Sequence, residues 1–271
     1  MRLIQRARVV VRAALILAAA ASLSACDVMV NTMHGGGRAQ AERTWTRSYT
    51  LAAGEAAVEI VNVNGTINVE AIDGSTLEVK AVLTARGATE EDAKKVLDKV
   101  EMAEEASAAR VRLQAKYPRE LGRRGIEVNY TIRTPRSARL ALETTNGQVK
   151  VNGALAGLKA DVTNGGIHGE GLANSVVATT TNGEIKVRMA SMGGDGVSLE
   201  ATNGSIDVKL PADAKATLAA RCVNGGISVS DVPFEKSGEG SRRKLDGTIT
   251  GGGPALRLET VNGRIRVGGV S

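Results

Sequence analysis

Aromatic side chains are nearly missing from this 271-residue chain: Trp45, Tyr49, Tyr117, Tyr130 and Phe234 are all it has. Cysteine and histidine are scarcer still, with two of each, and proline occurs five times. These numbers are too small for a Cys/His zinc site, a haem site, an iron–sulfur cluster or a disulfide framework, so neither a cofactor nor a metal is expected. The shortage of aromatic rings also leaves no stacking platform for a sugar ring. What the chain has in quantity is glycine, 32 residues, set among 42% hydrophobic and 24% charged residues. Glycine without a Gly-X-Y period excludes collagen, and the aliphatic content is enough for one or two cores, which excludes general disorder.

The first 25 residues read as an address. Four arginines (Arg2, Arg6, Arg8, Arg12) precede an Ala/Leu/Ile run from Ala13 to Ala21, which leads into Leu23-Ser24-Ala25-Cys26. The uncharged stretch is shorter than the about 20 apolar residues of a transmembrane helix and ends in small residues, so residues 1–25 are expected to be a cleaved signal peptide. Leu-Ser-Ala-Cys resembles the lipobox of bacterial lipoproteins, which implies cleavage before Cys26 and a diacylglycerol on its sulfur. The leader holds four of the 35 basic residues and none of the 29 acidic ones, so the mature chain is close to neutral. Nucleic acid is therefore excluded as a partner, since a strong positive field is lacking. Cys222 would be the only free thiol of the mature protein, with no intramolecular disulfide in an oxidising compartment. Residues 26–47 are polar and include Gly35-Gly36-Gly37, the pattern of a lipidated, flexible tether. The expected location is the cell envelope, lipid-anchored to a membrane and facing the periplasm or the cell surface.

Beyond the tether, Asn-Gly recurs in one context: Asn64-Gly65, Asn146-Gly147, Asn164-Gly165, Asn182-Gly183, Asn203-Gly204, Asn224-Gly225 and Asn262-Gly263. From Asn146 the intervals are 18, 18, 21, 21 and 38 residues, the last of which leaves room for a degenerate copy at Asp246-Gly247. The third residue after each Asn is Ile or Val, and the fifth is Val except at Gly169. Apolar residues also alternate upstream, at six and four residues before each Asn. Alternation on both sides of a turn dipeptide predicts strand, corner and strand. A meander of hairpins would alternate too, but only stacked coils explain why residue type recurs at each register position. The expected fold is all-β: a single-stranded β-solenoid of 18–21 residues per coil over residues 136–271, with Gly supplying a positive φ at each corner. Residues 48–135 are expected to be a cap of strands and one α-helix, starting near Thr89 with Asp92 in a capping box, that protects the terminal coil from edge pairing. The last coil, ending at Ser271, is expected to lack such a cap.

The segments Val61–Val69, Thr144–Val149 and Thr180–Ile185 resemble the bacterial putative-adhesin family through its Asn-Gly-x-Ile-x-Val repeat. The resemblance covers Ala53 to Val267 and implies a β-solenoid domain of unknown function on an envelope protein, with no catalytic residues to carry over.

Two outward columns hold the chemistry. Three residues before each Asn from the second repeat stand Glu143, Asp161, Thr179, Glu200, Arg221 and Glu259. If coils stack in chain order, Glu143 and Asp161 would be neighbours, which reads as a cation site, as an acid/base pair for polysaccharide cleavage, or simply as a charged, solubilising face. His168 shares a second column with Asn68, Lys150, Lys186, Asp207, Ser228 and Arg266, a solvated face. Cys222 falls in an inward column of mostly small residues and is expected to be a core residue. Two basic clusters, Arg119 with Arg123-Arg124 and Arg242-Arg243-Lys244, would meet anionic headgroups or acidic glycans if they share a side. The reading that results is a lipid-anchored, non-catalytic binding, adhesin-like or scaffold surface for an envelope protein or glycan. The alternatives are a carbohydrate-active enzyme using outward carboxylates and a regulatory module in envelope stress signalling.

Overall fold

A computed structural model describes residues 28–30, 39–54, 56–117 and 125–270. The signal peptide, Cys26 and Arg119, Arg123 and Arg124 lie outside the described residues. The described residues are all-β with one helix. Its N-terminal part runs β1 (Val28–Val30), β2 (Ala39–Thr50), β3 (Ala57–Asn64), β4 (Ile67–Ile72), β5 (Thr76–Gly87), α1 (Glu90–Asp98), β6 (Glu101–Ala106), β7 (Arg110–Lys116) and β8 (Ile126–Pro135). The repeats follow as β9 (Arg139–Asn146), β10 (Val149–Asn152), β11 (Gly157–Asn164), β12 (Ile167–Leu172), β13 (Ser175–Asn182), β14 (Ile185–Met189), β15 (Val197–Asn203) and β16 (Ile206–Leu210). The chain ends with β17 (Ala216–Ser230), β18 (Phe234–Lys236), β19 (Lys244–Ile249) and β20 (Ala255–Gly269).

Each repeat turns at its Asn-Gly corner from one strand into a second, and equivalent strands pair parallel and in register. One ladder runs β7, β3, β9, β11, β13, β15, β20, β17. The other runs β8, β4, β10, β12, β14, β16, β20 and the second half of β17. The result is a solenoid-like stack with the alternating aliphatics inside. Ile67, Val149, Ile167, Ile185, Ile206 and Ile265 are all buried, as are Val69, Val151, Val187, Val208 and Val267 beside them. Where Gly169 interrupts the valines, a Cβ would run into the Leu172 side chain, which fills that space.

Chain order and stacking order differ at both ends. The coil made by β3 and β4 lies between β7/β8 and β9/β10, so the 82-residue interval folds partly into a coil outside the first repeat. At the other end β20, the last strand, is inserted between β15/β16 and β17. This corrects two expectations. Asp246-Gly247 is no degenerate coil but part of β19, which runs antiparallel to β17 and pairs with β18 in turn. The final coil is therefore not an uncapped end: it lies inside the stack, and β19 covers the first half of the outermost strand.

The tether also needs correction. Residues 39–47 are strand: β2 pairs antiparallel with β5 along its full length, and β1 pairs with β2. The inward face of β2 reads Ala41, Arg43, Trp45, Arg47, Tyr49, in which the two arginines disguise the apolar alternation. Both find partners: Arg43 donates to the Val100 carbonyl at 2.6 Å, and Arg47 lies 3.5 Å from Glu104 and 4.7 Å from the centre of the Trp45 ring. Long arginine stems can cover apolar surface while their heads reach a partner, so such a face still packs. Helix α1 lies against β2 and β5 through buried Ala93 and Leu97, capped by reciprocal Thr89 and Asp92 hydrogen bonds.

Candidate functional site

The corners form one continuous ladder. The Asn64 amide donates to the Ile126 carbonyl. Each other corner Asn amide donates to the Asn oxygen of the adjacent coil: Asn146 to Asn64, Asn164 to Asn146, Asn182 to Asn164, Asn203 to Asn182, Asn262 to Asn203 and Asn224 to Asn262, at 2.8 to 2.9 Å. Beside it the corner glycines stack closely. A Cβ on Gly147, Gly165, Gly183, Gly204 or Gly263 would collide with the carbonyl oxygen of the corner glycine below. Gly65, Gly147, Gly165, Gly183 and Gly225 have the positive φ expected from sequence, whereas Gly204 and Gly263 do not, so close approach to neighbouring backbone is the reason common to the whole ladder.

One column inward, Thr180 and Thr260 donate to the Gly165 and Gly204 carbonyls at 2.9 and 2.8 Å. Cys222 occupies the equivalent place, with Sγ 3.3 Å from the Gly263 carbonyl. It is buried, and burial pushes its thiol pKa up, the opposite of what a nucleophile needs.

On the first outer face, Asp161 pairs in register with Glu143 and Glu200 with Glu259. The second pair adjoins because β20 is inserted, a juxtaposition that stacking in chain order would not produce. Asp161 is also met by Lys159 at 3.4 Å. Arg221, the cation of that column, is turned to Asp246 of β19 at 2.6 and 3.0 Å, and its hydrogen bonds hold the Asp246 carboxyl below the usual range.

On the second outer face lies an open groove of about 710 Å³. Its floor is a row across five adjacent strands: Thr131 of β8, Asn68 of β4, Lys150 of β10, His168 of β12 and Lys186 of β14. His168 is held between Gln148, 3.3 Å from Nδ1, and Glu184, 3.1 Å from Nε2. Lys186 donates to the same Glu184 oxygen at 2.8 Å, and that bond, with the one from His168, keeps Glu184 below the usual carboxylate range. What sequence reading treats as a solvated column is thus an organised groove. Its column was legible, but Gln148 and Glu184, corner residues two after their Asn, vary from coil to coil and gave no signal.

Among the described residues no group of three His, Cys, Asp or Glu side chains is placed to hold a metal ion. No helix among them is long and apolar enough to cross a membrane.

The model of the Toastrack DUF4097 family matches residues 57–268. The chain belongs to this family. The Toastrack match takes in the whole repeat ladder from β3 to β20, and agrees with the putative-adhesin resemblance of the Asn-Gly segments. No curated protein matches the chain. Solved structures similar to it include one described as a putative cell adhesion protein from Clostridium sporogenes, 13% identical, covering 83% of this chain and 99% of the other, with a TM-score of 0.45. A putative adhesin from Bacteroides fragilis is 11% identical over 84% of this chain and 97% of its own, with a TM-score of 0.36. A putative lipid binding protein from Parabacteroides distasonis is 8% identical over 84% and 97%, with a TM-score of 0.22.

Proposed function

We propose that this Toastrack protein is a lipid-anchored, envelope-facing β-solenoid that acts as a non-catalytic, adhesin-like binding or scaffold surface. The observation that carries the reading is the pair of long, in-register outer faces, which present columns of outward side chains at a strand spacing of about 4.8 Å. Such extended faces suit recognition of an extended or repetitive partner. The Leu23-Ser24-Ala25-Cys26 sequence supports cleavage after residue 25 and lipidation of Cys26. With β1 starting at Val28 and paired to β2, the anchor would sit two residues from the sheet and hold the domain close to the bilayer. Metabolic labelling with an alkyne fatty acid tests the anchor: label is expected on the wild type and lost in Cys26→Ala, and equal labelling of both would refute it. Retention of envelope glycans or proteins without released products is the expected behaviour of the purified chain.

The register of Asp161 beside Glu143 favours one second reading, a carbohydrate-active enzyme. Glycan release abolished by Glu143→Gln or Asp161→Asn would establish it.

A further inference from the structure

We propose that the groove on the second outer face binds an acidic polysaccharide, with a ligand carboxylate seated at Lys150; this deepens the binding-surface reading and rests on it. Most charges around the groove are already answered within the protein. Lys186 is bound to Glu184, Arg133 lies 3.5 Å from Glu70 and 3.0 Å from Glu78, and Arg188 lies 3.2 Å from Glu170. Lys150 is the exception. Its neighbours in the row are Asn68 and His168, each one strand away, and it has no carboxylate within ion-pair distance among the described residues. Lys150 thus offers the one ammonium without an ion-pair partner in a groove whose other charged lining groups, Glu70, Glu170 and Lys186, are each paired within the protein. It stands beside the Asn68 amide and the His168 imidazole, with the Thr131 hydroxyl farther along the row. That set matches one carboxylate surrounded by hydroxyls, the repeating chemistry of a uronic-acid polymer. An anionic membrane is recognised by clusters of several free cations, which this groove lacks.

The groove has the shape for a chain ligand. Five strands at about 4.8 Å give a floor roughly 19 Å long, open to solvent and running across the ladder. Without aromatic rings in the lining, the sugars are held by hydrogen bonds and charge rather than by stacking. A second observation marks the same place. Against β14, β12 carries one extra residue between Gly169 and Leu172, the only register break among the described parallel ladders. Bulges bend a strand and re-aim side chains beside binding sites. Here the bulge holds Glu170, which lines the groove and is drawn to Arg188 rather than to Lys150.

The test uses the lipidated full chain in detergent micelles, titrated with polygalacturonate and with its fully methyl-esterified form, with glycerol phosphate as competitor. Polygalacturonate is expected to bind and to weaken with added salt, and the ester, which has lost its carboxylates, is not. Lys150→Gln is expected to weaken binding about tenfold, the size of a lost charge-assisted hydrogen bond. Lys209→Gln, on the same face but outside the groove, is expected to leave binding unchanged. Unchanged binding by Lys150→Gln, equal binding of the ester, or no binding of polygalacturonate overturns the proposal. Stronger competition by glycerol phosphate than by short galacturonate oligomers does so too, by pointing to a phospholipid headgroup. If wild type and Lys150→Gln are retained equally by envelope extract, the groove assignment fails while the binding-surface reading stands. Cleavage of glycan by the purified chain would instead overturn that reading itself.

Discussion

A corner asparagine works in two directions at once. Asn182 donates to Asn164 and accepts from Asn203, so removing it breaks two links of the ladder. The corner is exposed and water can replace part of the loss, so Asn182→Ala is expected to cost about 1 kcal/mol in urea unfolding. The glycine beside it should matter more. A Cβ at Gly183 would strike the carbonyl of Gly165, which is itself stacked against Gly147, so the backbone has no room to retreat. Gly183→Ala is expected to cost about 1–3 kcal/mol through overpacking. Gly194→Ala, where the added methyl meets nothing within 4 Å, should stay within about 0.5 kcal/mol. Equal losses at the two glycines would refute the close-stacking argument. The Asn and Gly positions were plain in the sequence because recurrence names the column. Their physical reason was not, since a turn glycine and a close-packed glycine look identical until the neighbouring coil is in place.

At the scale of single elements, legibility follows how cleanly one face alternates. Strands such as β11 and β13 announce themselves because each inward residue is apolar or small. Helix α1 does so through its capping box and the buried Ala93 and Leu97. Strand β2 escaped because Arg43 and Arg47 stand on its inward face, and β19 escaped because Asp246-Gly247 imitates a repeat corner. Beside its backbone pairing with β17 and β18, β19 is tied to β17 by the Arg221–Asp246 ion pair. The Arg221 hydrogen bonds depress the folded Asp246 pKa, so the pair favours the native state above the unfolded carboxylate pKa, and the contribution is lost as pH falls through the folded value. Glu59, held low chiefly by its hydrogen bond from Arg110, and Glu184, held low chiefly by Lys186, contribute with the same sign. Because both members of the β17–β19 pair are over a third exposed, Arg221→Gln is expected to cost a few tenths to about 1 kcal/mol at neutral pH. Its unfolding free energy should also fall less steeply than that of the wild type as pH drops below the ordinary aspartate range. Parallel profiles for the two proteins would show that the pair carries no such linkage.

Across the whole molecule, the sequence specifies the columns but not the order in which coils occupy them. The coils of β15/β16, β17 and β20 carry the same inward pattern, so any of them would fit on any other, and nothing local forbids stacking in chain order. Their order is set by the connections. The antiparallel cap of β18 and β19 packs on the free edge of β17 and leaves the next coil only the space between β16 and β17. Native Cys222 can report on this order, since Thr260 is its register partner and Ala201 in turn is the partner of Thr260. Adjacent strands put Cys222 and residue 260 about 4.8 Å apart, inside the Cα separation of a disulfide, whereas Cys222 and residue 201 are two spacings, roughly 9.6 Å, apart and outside it. In a chain carrying Cys26→Ser, Thr260→Cys is therefore expected under mild oxidation to lose both thiols to an internal disulfide, and Ala201→Cys to keep both free, as counted by thiol alkylation and mass spectrometry. Stacking in chain order would bring Cys222 against residue 201 as well. A disulfide in the Ala201→Cys protein would therefore show that β20 does not hold its place inside the stack in solution.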